Sequence, residues 1–394
     1  MHPKLKKALA SVARWPGVSY FSGGVPSRVY PETKVWVESV KASSPGVDAT
    51  WTPLREPDIT EQPSPIRINP DDRDYYHWNR PWENYGTFVL EARNLHYESI
   101  TDSVLTPDRA ILYDLSRQWP DKPNEHALLS AIRMPRPVEL KGRTLVLSVR
   151  GGGKNYHDWM TALVPRLKIA LDADYKVDDF DYILVNRLDD GFRTETLEKM
   201  GIPLEKVMQS DRERIWKLES VVIPSLPYQD GFSRRWAMEY VNALVGDTGR
   251  NEGERVYISR SDARLRKILN EDELITGLSS LGFKVVSFTG MTVSDQASIM
   301  RRARLIVAPH GAGLTNILFS PDHVDVVELH ARDYYCSSFW WISSRKGNRH
   351  AVLCSQSDKN NRPLPNQGIQ VDVDRLINYL KSVINKPITA ATIP

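Results

Sequence analysis

Cysteine is scarce in this chain, with only two residues, Cys336 and Cys354, among 394. Two cysteines are too few for a disulfide framework and their spacing does not fit a zinc site, so we expect buried free thiols in a reducing compartment. Runs of about 18 apolar residues are absent, as is the apolar core of a signal peptide. These absences predict a cytoplasmic protein without a membrane-spanning helix.

An excess of charge of either sign is also lacking, because the net charge is only +3 at pH 7. We therefore expect no nucleic-acid partner. A hydrophobic share of 41% and a charged share of 26% are typical of a soluble globular protein. Residues 4–15 are a basic exception, with apolar residues at helical spacing. They predict a helix that docks on the protein body or frays, or else one that associates weakly with the inner face of a membrane.

Regular patterning is weak at the N-terminus. Prolines recur between residues 45 and 70, and aromatic residues cluster at 75–82. This composition predicts an irregular extension over residues 1–80, which wraps the protein body or adds edge strands.

Strand and helix patterns alternate from residue 143 onward. Apolar runs at 144–149 and 182–185 predict buried parallel strands. An apolar stripe predicts a helix from about Tyr156 to Leu171, in which Pro165 must kink or restart the helix.

A polar stretch rich in helix breakers, residues 247–254, separates this region from a second alternating one. There, Asn270 and Glu273 predict a capping box for a helix at 271–281. Two such regions predict an α/β protein of two doubly wound, Rossmann-like domains facing across a cleft, with ligands at the carboxyl ends of the strands. The predicted parts are an N-terminal extension at 1–80, a first domain at 81–246, a second domain at 247–370, and a C-terminal helix and tail at 371–394.

The most informative stretch is residues 303–319, which predicts a buried strand, a turn with two glycines and the start of a short helix. Backbone N–H groups at such a helix start, together with the helix dipole, attract an anion. The turn Gly311-Ala312-Gly313 is shorter than a dinucleotide fingerprint, and two close glycines can also simply permit a turn. The pattern indicates a site for a nucleotide diphosphate.

The segment His310 to Asn316, with Phe319 and the apolar run 326–329 after it, closely resembles the C-terminal signature of glycosyltransferase family 61. That family includes EGF-domain O-GlcNAc transferases, plant xylan-decorating transferases and bacterial surface-polysaccharide enzymes. The resemblance implies the two-domain GT-B fold. It also implies an inverting transfer of a sugar from a nucleotide-diphosphate donor, for which we expect a UDP-sugar.

A cluster of cations follows the predicted strand at 255–259, in a segment similar to the second signature of the family. Arginine contacts a diphosphate leaving group bidentately, so we expect Arg260 first and Arg266 second to bind the donor. Lys267 is expected to face solvent, and a solvated basic loop is the alternative for the whole segment. Because these cations can neutralise the diphosphate, we predict no metal and no separate cofactor.

The glycine turn supplies the next donor-site candidates. Backbone groups of Gly311, Ala312 and Gly313 are expected to meet the phosphates, as are the side chains of Thr315 and Asn316. Asn316 equally suits a local helix cap.

His310 and Glu328 complete the set of candidates. His310 begins the turn, where it either contacts the phosphate or donor sugar or stabilises the turn. Glu328 ends the strand after the turn, where a carboxylate in GT-B enzymes commonly accepts ribose hydroxyls. An ion pair is the alternative role for Glu328.

Residues 155–159, Asn-Tyr-His-Asp-Trp, open the first-domain helix and resemble a looser family motif in which a histidine faces the acceptor. An inverting transfer needs a base for the acceptor hydroxyl proton, so His157 and Asp158 are the catalytic candidates. The family usually carries an acid a few residues after the histidine, where this chain has Thr161 and Ala162. Either Asp158 takes the place of that acid or the base lies elsewhere, since Asp158 also suits a helix N-terminus.

The function that we expect is transfer of a sugar to an oligo- or polysaccharide acceptor in surface-polysaccharide biosynthesis. A nicotinamide-dependent oxidoreductase is disfavoured, because the run 151–153 of three glycines lacks the spacing of a dinucleotide fingerprint. A catalytically inactive sugar- or nucleotide-binding assembly protein stays open, because the acid usual in the family is missing.

Overall fold

The computed structural model describes residues 24–43, 48–60, 63–71, 82–118, 121–189, 191–210, 214–227, 234–246, 252–332, 336–357, 368–384 and 386. These residues form two compact units. The first unit contains the described residues within 1–58 and 84–231, and the second contains those within 59–83 and 232–394. The basic stretch 4–15 lies outside the described residues, so its helix stays a prediction.

Strands form the framework of both units. In chain order they are β1 (Val29–Tyr30), β2 (Ala49–Arg55), β3 (Asp58–Thr60), β4 (Ile66–Arg67), β5 (Trp82–Asn84), β6 (Thr87–Glu98), β7 (Ser103–Leu105), β8 (Ile111–Leu112), β9 (Pro137–Val146), β10 (Tyr182–Val185), β11 (Val207–Gln209), β12 (Ile215–Pro224), β13 (Glu254–Ile258), β14 (Phe283–Val286), β15 (Ala303–Pro309), β16 (Asp325–Ala331), β17 (Arg349–Ser357) and β18 (Ile369–Gln370).

Helices lie between many of these strands. The α-helical segments are Thr33–Ser43, Tyr156–Asp158, Val164–Asp172, Gly191–Lys199, Arg235–Leu244, Glu271–Ser280, Val293–Arg302, Ser338–Arg345 and Val373–Val383. The 3-10 turns are Tyr113–Leu115, Pro123–Glu125, Ala127–Ser130, Val177–Asp179, Leu204–Lys206 and the longer Ala312–Phe319. None of the described helices is long and apolar enough to cross a bilayer.

The first unit is built on a nine-stranded mixed sheet in the order β1-β8-β7-β6-β12-β9-β10-β11, with β2 also paired to β6. β12, β9, β10 and β11 are parallel neighbours, as in a Rossmann-like domain. β6, in contrast, runs antiparallel to β2, β7 and β12. The parallel part of the sheet therefore agrees with the predicted Rossmann-like domain, whereas the part around β6 departs from the predicted doubly wound sheet. The physical reason is the turn at 99–102 between β6 and β7, which is too short for a crossover helix and makes a hairpin instead.

The helix after β9 is irregular just before the predicted proline. It consists of Tyr156–Asp158, a π-helical turn at Trp159–Leu163 and a second α-helical segment at Val164–Asp172. Pro165 is the second residue of the last segment, and the π-helical turn comes directly before that segment. The backbone stays helical through Leu163 and Val164, so the hydrogen-bond pattern changes before the proline without a break in the helix.

Arg166, the next residue, anchors this helix to the sheet. Its side chain is buried, Nε donates to the carbonyl oxygen of Pro224 at 3.0 Å, and Nη1 donates to that of Ser148. The carbonyl groups of residues just beyond β9 and at the end of β12 are thereby held by one guanidinium.

The described residues between 24 and 71 are more regular than the predicted extension and do not form one piece. The helix Thr33–Ser43 and β2 belong to the first unit, whereas β4 pairs with β17 in the second. The boundary between the units falls after residue 231, before the polar stretch, because the helix Arg235–Leu244 packs in the second unit. There Arg235 donates to Asp322 at 2.8 Å. The last helix, Val373–Val383, also packs into the core of the second unit.

The second unit contains a seven-stranded sheet in the order β14-β13-β15-β16-β17-β18, with β4 beside β17. β13 to β17 are all parallel, and β18 is antiparallel. The chain moves from β13 outward to β14 and then crosses to β15 on the other side. The strand order therefore reverses between β13 and β15, and ligands of doubly wound sheets bind at such a switch point.

Asn270 does not cap its helix as predicted. Its side chain makes no cap bond to Glu271–Ser280. Instead Oδ1 accepts a hydrogen bond from the backbone N–H of Val371 at 2.9 Å, and Nδ2 donates to the Val371 carbonyl oxygen at 2.9 Å. Only the contact from Nδ2 to Glu273, at 2.9 Å, survives from the predicted box. The two bonds to one backbone unit replace the cap.

Candidate functional sites

A small cavity lies at the switch point of the second unit, beyond the ends of β13 and β15. Its volume is about 140 Å³, several times the roughly 30 Å³ that one water molecule occupies in the liquid. Ser259, Arg260, Asp262 and Thr289 give it polar walls, and Gly313 of the glycine turn also lines it. A group of the size of a phosphate fits this space.

Arg260 is a cation that forms no ion pair among the described residues. Nη2 donates to the carbonyl oxygen of Leu265 at 3.2 Å, and Nε is buried without a hydrogen-bond partner in the described part of the chain. Burial and the positive charge of Arg266 lower the pKa of Arg260 to about 10, against the opposing effect of Asp262. An anion in the cavity would compensate the charge and supply the missing acceptor.

Gly311 provides the space that the Arg260 side chain occupies. Its φ of 165° is extended backbone, which any residue adopts. A Cβ atom on Gly311, however, would lie 2.0 Å from Nη1 of Arg260 and 2.5 Å from Cζ. A Cβ atom on Gly313 would lie 3.3 Å from Cγ2 of Ile258. The two glycines are therefore needed for close packing against the end of β13 and not for a left-handed turn.

We expect Gly311→Ala to weaken anion binding at this cavity, because the new methyl group displaces the Arg260 guanidinium. Losing one charge-assisted hydrogen bond costs about 1.5–3 kcal/mol, or roughly a ten- to hundredfold rise in the Kd for UDP. Calorimetric titration with UDP measures the change. Gly191→Ala is the matched control, since a Cβ there would meet no atom within 4 Å. Equal affinity in the two variants would contradict the expectation.

Glu328 lies at the centre of a buried cluster of three histidines. Oε1 lies 2.6 Å from Nδ1 of His310 and 3.3 Å from Nε2 of His330, and Oε2 lies 3.1 Å from Nε2 of His350. Burial alone would raise the pKa of Glu328, but the histidines hold it well below the ordinary value. The side chain is 0% exposed. In this structure its carboxylate is engaged by histidines and closed to ribose hydroxyls. With a neutral His310 the contact is a hydrogen bond, so the ion-pair alternative stays a prediction.

His310 supports the glycine turn from the inside. Its ring packs against His330 and Phe339, with centroid separations of 4.8 Å and 5.0 Å. Burial lowers the pKa of His310 to about 4, against the opposing effect of Glu328. Its carbonyl oxygen accepts a hydrogen bond from Nε of Arg266 at 3.0 Å, so His310 holds Arg266 beside the turn. Of its two predicted roles, stabilisation of the turn fits this placement.

Thr315 and Asn316 are placed away from any phosphate. Both side chains are fully buried. Nδ2 of Asn316 donates to Oε1 of Gln296 at 2.7 Å and so joins the 3-10 helix Ala312–Phe319 to the helix Val293–Arg302. We predicted phosphate contacts for these two side chains, and burial against the neighbouring helix prevents them. The backbone of residues 311–313 remains the candidate part of the turn.

One group of residues in the described ranges has the atoms to hold a metal ion, namely His310, Glu328 and His330. Their ligating atoms all lie within 4.8 Å of one another. The contact between His310 and Glu328 is a hydrogen bond of 2.6 Å, which satisfies that carboxylate oxygen without an ion. We therefore interpret the group as a hydrogen-bonded cluster and keep the prediction of no metal as a prediction.

The first unit contains a larger cavity of about 360 Å³ beyond the end of β9. Acidic and basic side chains occur in equal number around it. The acids are Asp102, Asp121 and Asp158, and the cations are Arg117, Arg150 and Lys154. Such a balanced polar lining suits a ligand rich in hydroxyl groups more than a polyanion.

Two glycines of the run after β9 make room for side chains of this site. A Cβ atom on Gly151, whose φ is 90°, would lie 2.1 Å from Oδ2 of Asp158. A Cβ atom on Gly152 would lie 2.4 Å from Oδ1 of Asn186. Asp158 is fixed further by Asn155, whose Nδ2 donates to Oδ2 at 2.7 Å. Asp158 thus lies both at the start of the helix and in the cavity wall.

Asp102 is a residue of this site that the sequence analysis missed. It lies in the turn before β7 with a φ of 52°. Oδ1 accepts hydrogen bonds from the side chains of Tyr97 (2.7 Å), Ser148 (2.8 Å), Asn186 (3.2 Å) and Ser210 (3.2 Å). Oδ2 has no hydrogen-bond partner within the described ranges. Burial raises the pKa of Asp102 to about 6, although these hydrogen bonds oppose the rise.

His157 and Thr161 do not line this cavity, whereas Ala162 does. His157 does not line the cavity, whereas its neighbour Asp158 does. Thr161 is buried and donates to the His157 carbonyl oxygen at 2.7 Å. Ala162 lines the cavity without a polar group. The carboxylates near this position therefore come from Asp158 and Asp102.

Both cavities lie beyond the carboxyl ends of parallel strands, and the one in the second unit contains an arginine without an ion pair beside a glycine turn. This arrangement is typical of α/β proteins that bind a phosphate-bearing ligand. The family model described as Glycosyltransferase 61 matches residues 104–327, which is more than half of the chain. The chain therefore belongs to glycosyltransferase family 61.

Curated relatives match over shorter stretches. An EGF domain-specific O-linked N-acetylglucosamine transferase from Gallus gallus is 35% identical over 107 residues, which are 25% of this chain and 20% of the relative. The mouse protein of the same name is 34% identical over 107 residues, with the same shares. A beta-1,2-xylosyltransferase from Oryza sativa subsp. japonica is 40% identical over 88 residues, 22% of this chain and 15% of the relative. The chain thus spans a fifth or less of the length of these relatives.

Proposed function

We propose that this protein is an inverting glycosyltransferase that transfers a sugar from a UDP-sugar to a hydroxyl group of a glycan. The observation that carries the proposal is Arg260, a half-buried cation that forms no ion pair in the described part of the chain and whose Nε is buried without an acceptor, at the switch point of a parallel sheet. Membership of glycosyltransferase family 61 supports the reaction class. We propose no metal, because Arg260 and Arg266 supply positive charge for the diphosphate.

In the proposed reaction the acceptor oxygen attacks the anomeric carbon while the bond from that carbon to the UDP oxygen breaks on the opposite face. The leaving UDP gains negative charge, which Arg260 stabilises more in the transition state than in the bound donor. The backbone of the turn 311–313 contacts the phosphates. We also propose the GT-B arrangement, in which the two units face across a cleft, since each unit has its cavity at the carboxyl ends of strands.

Asp158 is the proposed base that takes the acceptor hydroxyl proton. It lines the cavity of about 360 Å³ beyond the end of β9, and Asn155 and Gly151 fix the position of its carboxylate. Asp102 lines the same cavity and is the alternative base, because Oδ2 is not engaged by any described residue and its pKa is raised to about 6. His157, the other predicted candidate, has less support because it does not line the cavity.

We expect Asp158→Asn to lower kcat by about 10²- to 10⁴-fold, the usual contribution of a positioned general base, with the Kd for UDP unchanged. His157→Ala, the matched control on the adjacent residue, should lower kcat less than about tenfold. Release of UDP during sugar transfer measures both. A larger loss in the His157 variant would identify that residue as the base.

The pH profile distinguishes the two aspartates. If Asp102 were the base, kcat/KM of the wild-type protein would rise with pH around a midpoint near 6, and Asp102→Asn would remove both the activity and that midpoint. A profile without this midpoint, together with the loss in the Asp158 variant, would exclude Asp102.

A nucleotide screen tests the proposed function as a whole. Purified protein is titrated with UDP, GDP, CMP, ADP and NAD, with and without a divalent metal. UDP alone should bind, and without a metal. Binding of NAD instead would contradict the proposal. No response to any nucleotide would favour the alternative, a catalytically inactive sugar-binding assembly protein.

The cellular setting is proposed with the function. A polysaccharide acceptor in surface-polysaccharide biosynthesis suits the cavity that Asp158 lines, because acidic and basic side chains are equal in number there. Cys336 and Cys354 form no disulfide bond within the described residues, which suits the proposed cytoplasmic location with its reducing conditions.

A further inference from the structure

The first unit contains a second cavity, with a volume of about 490 Å³. This volume is within the range of about 300–1,000 Å³ that is usual for small-molecule pockets. One wall is formed by β2, which pairs with β6 alone among the described strands. Trp51 and Pro53 of β2 line the cavity and, as alternate residues of a strand, share one face. Arg55, which follows an irregularity in the pairing of β2 with β6, also lines the cavity.

Aromatic rings are concentrated in this cavity. Trp51 lies 5.6 Å from Phe88 between ring centroids, and Tyr85 is 47% exposed. Gly86 permits the loop of Tyr85 to approach the end of β2, because a Cβ atom on Gly86 would lie 2.6 Å from the carbonyl oxygen of Arg55. Aromatic side chains offer flat apolar faces, on which the C–H faces of sugar rings pack.

Charged side chains line the same cavity in equal numbers. The acids are Glu32, Glu56 and Asp114, and the cations are Lys34, Arg55 and Arg117. The cations already have partners. Arg55 pairs with Asp172, Arg117 contacts Asp121 at 2.8 Å, and Lys34 lies 5.3 Å from the centroid of the Trp51 ring. A neutral ligand therefore suits the cavity better than a phosphate or a uronic acid, and carboxylates readily accept hydrogen bonds from hydroxyl groups.

The two cavities of the first unit adjoin. Arg117 and Leu226 line both of them. The guanidinium carbon of Arg117 also lies 4.0 Å from the centroid of the Tyr85 ring, so one side chain connects the aromatic cavity to the cavity of Asp158. A ligand that occupies both cavities must be longer than one sugar ring.

We propose that the first unit binds its acceptor as an extended neutral oligosaccharide, whose reactive end lies beside Asp158 and whose following rings stack on Trp51 and Tyr85. This inference rests on the proposed function, because it names the acceptor of that reaction. The aromatic cavity is then a second acceptor subsite, which selects glycan chains over single sugars.

The test uses the full chain and the β-1,4-linked xylo-, cello- and chito-oligosaccharides of one to six rings as probes, titrated calorimetrically. For at least one series, the Kd should fall about tenfold or more from one ring to the length that fills both cavities, and then stop falling. Tyr85→Ala and Trp51→Ala should remove this dependence on length. Leu204→Ala is the control, because Leu204 is exposed and outside both cavities. Tyr85→Ala keeps the test valid if the partly buried Trp51 is needed for folding.

Three outcomes would overturn the subsite: one Kd for all lengths, unchanged affinity of a long probe for the Tyr85 variant, or no binding of any probe. Titration of the same samples with UDP separates this failure from failure of the proposed function. UDP binding that Arg260→Ala abolishes, without length-dependent glycan binding, would leave the transferase and remove the subsite. Length-dependent glycan binding without UDP binding would support the subsite and contradict the proposed transferase.

Discussion

Arg260→Ala is expected to raise the Kd for UDP by about ten- to hundredfold and to lower sugar transfer at least as much. The change removes a desolvated cation at the switch point, and hydrogen bonds to charged groups contribute about 1.5–3 kcal/mol each. Transfer should suffer more than binding, because charge on the leaving diphosphate is greatest in the transition state. Calorimetric titration with UDP and an assay of UDP release measure the two effects.

Arg264→Ala is the matched control, since it removes the same charge from the same segment at an exposed position. We expect its affinity for UDP to stay within about twofold of the wild-type value, because exposed charges are screened by salt. The stability of the two variants gives a second comparison. Arg260→Ala should not lower the melting temperature, because the wild-type protein holds this half-buried charge without an ion pair in the described residues. Equal loss of UDP binding in both variants would mean that the segment acts only through its overall charge.

Glu328→Ala is expected to destabilise the second unit by about 3–5 kcal/mol, because buried imidazole groups lose their acceptor at about 1–3 kcal/mol each. The substitution leaves an empty volume and removes the carboxylate from contact with His310, His330 and His350. Hydrogen–deuterium exchange of peptides from β15 and β16 measures this unit separately from the other one. These peptides should lose much of their protection at neutral pH.

Glu328→Gln provides the comparison that isolates charge from volume. The amide fills the same space and still forms hydrogen bonds, so we expect a smaller loss of protection than in the alanine variant. If Glu328→Ala changed the opening free energy by less than about 1 kcal/mol, the cluster would not support the turn. Such a result would also mean that Glu328 does not help His310 to hold Arg266 beside the turn.

The same cluster predicts how the second unit responds to acid. Burial holds the pKa of His310 at about 4, below its ordinary value of 6.5. Between these two pH values the unfolded chain binds more protons than the folded one, so stability falls as the pH is lowered through that range. The depressed pKa of Glu328 acts in the same direction, because its contribution is present above the ordinary pKa of a glutamate and is lost below it.

Local patterns predicted the parts of the structure that depend on nearby residues. The apolar run at 182–185 is β10, and the alternation after residue 254 is the parallel sheet of the second unit. In each case the hydrophobic period acts within one element. The sequence therefore placed Arg260 just after a strand of that sheet without knowledge of the tertiary structure.

Long-range contacts decided what the sequence could not show. Oδ1 of Asp102 joins side chains that are 46, 84 and 108 residues away, those of Ser148, Asn186 and Ser210. Asn316 follows a glycine turn and Glu328 was expected at a strand end, which is where ligand-binding residues are common. Glu328 instead lies in the middle of β16, and tertiary packing buries both residues. Burial of a polar side chain depends on partners that are remote in the chain, and a single sequence does not identify them.

The contact between Gly311 and Arg260 also limits how this site can diverge. Any side chain at position 311 collides with the guanidinium, whereas a shorter residue at position 260 removes the collision. The effect of a substitution at position 311 therefore depends on which residue occupies position 260, and the two positions are epistatic. A descendant that acquires alanine at 311 first passes through a form with a displaced arginine. One that shortens residue 260 first loses the cation and then tolerates the alanine, so the order of the two changes determines which intermediates can still bind an anion.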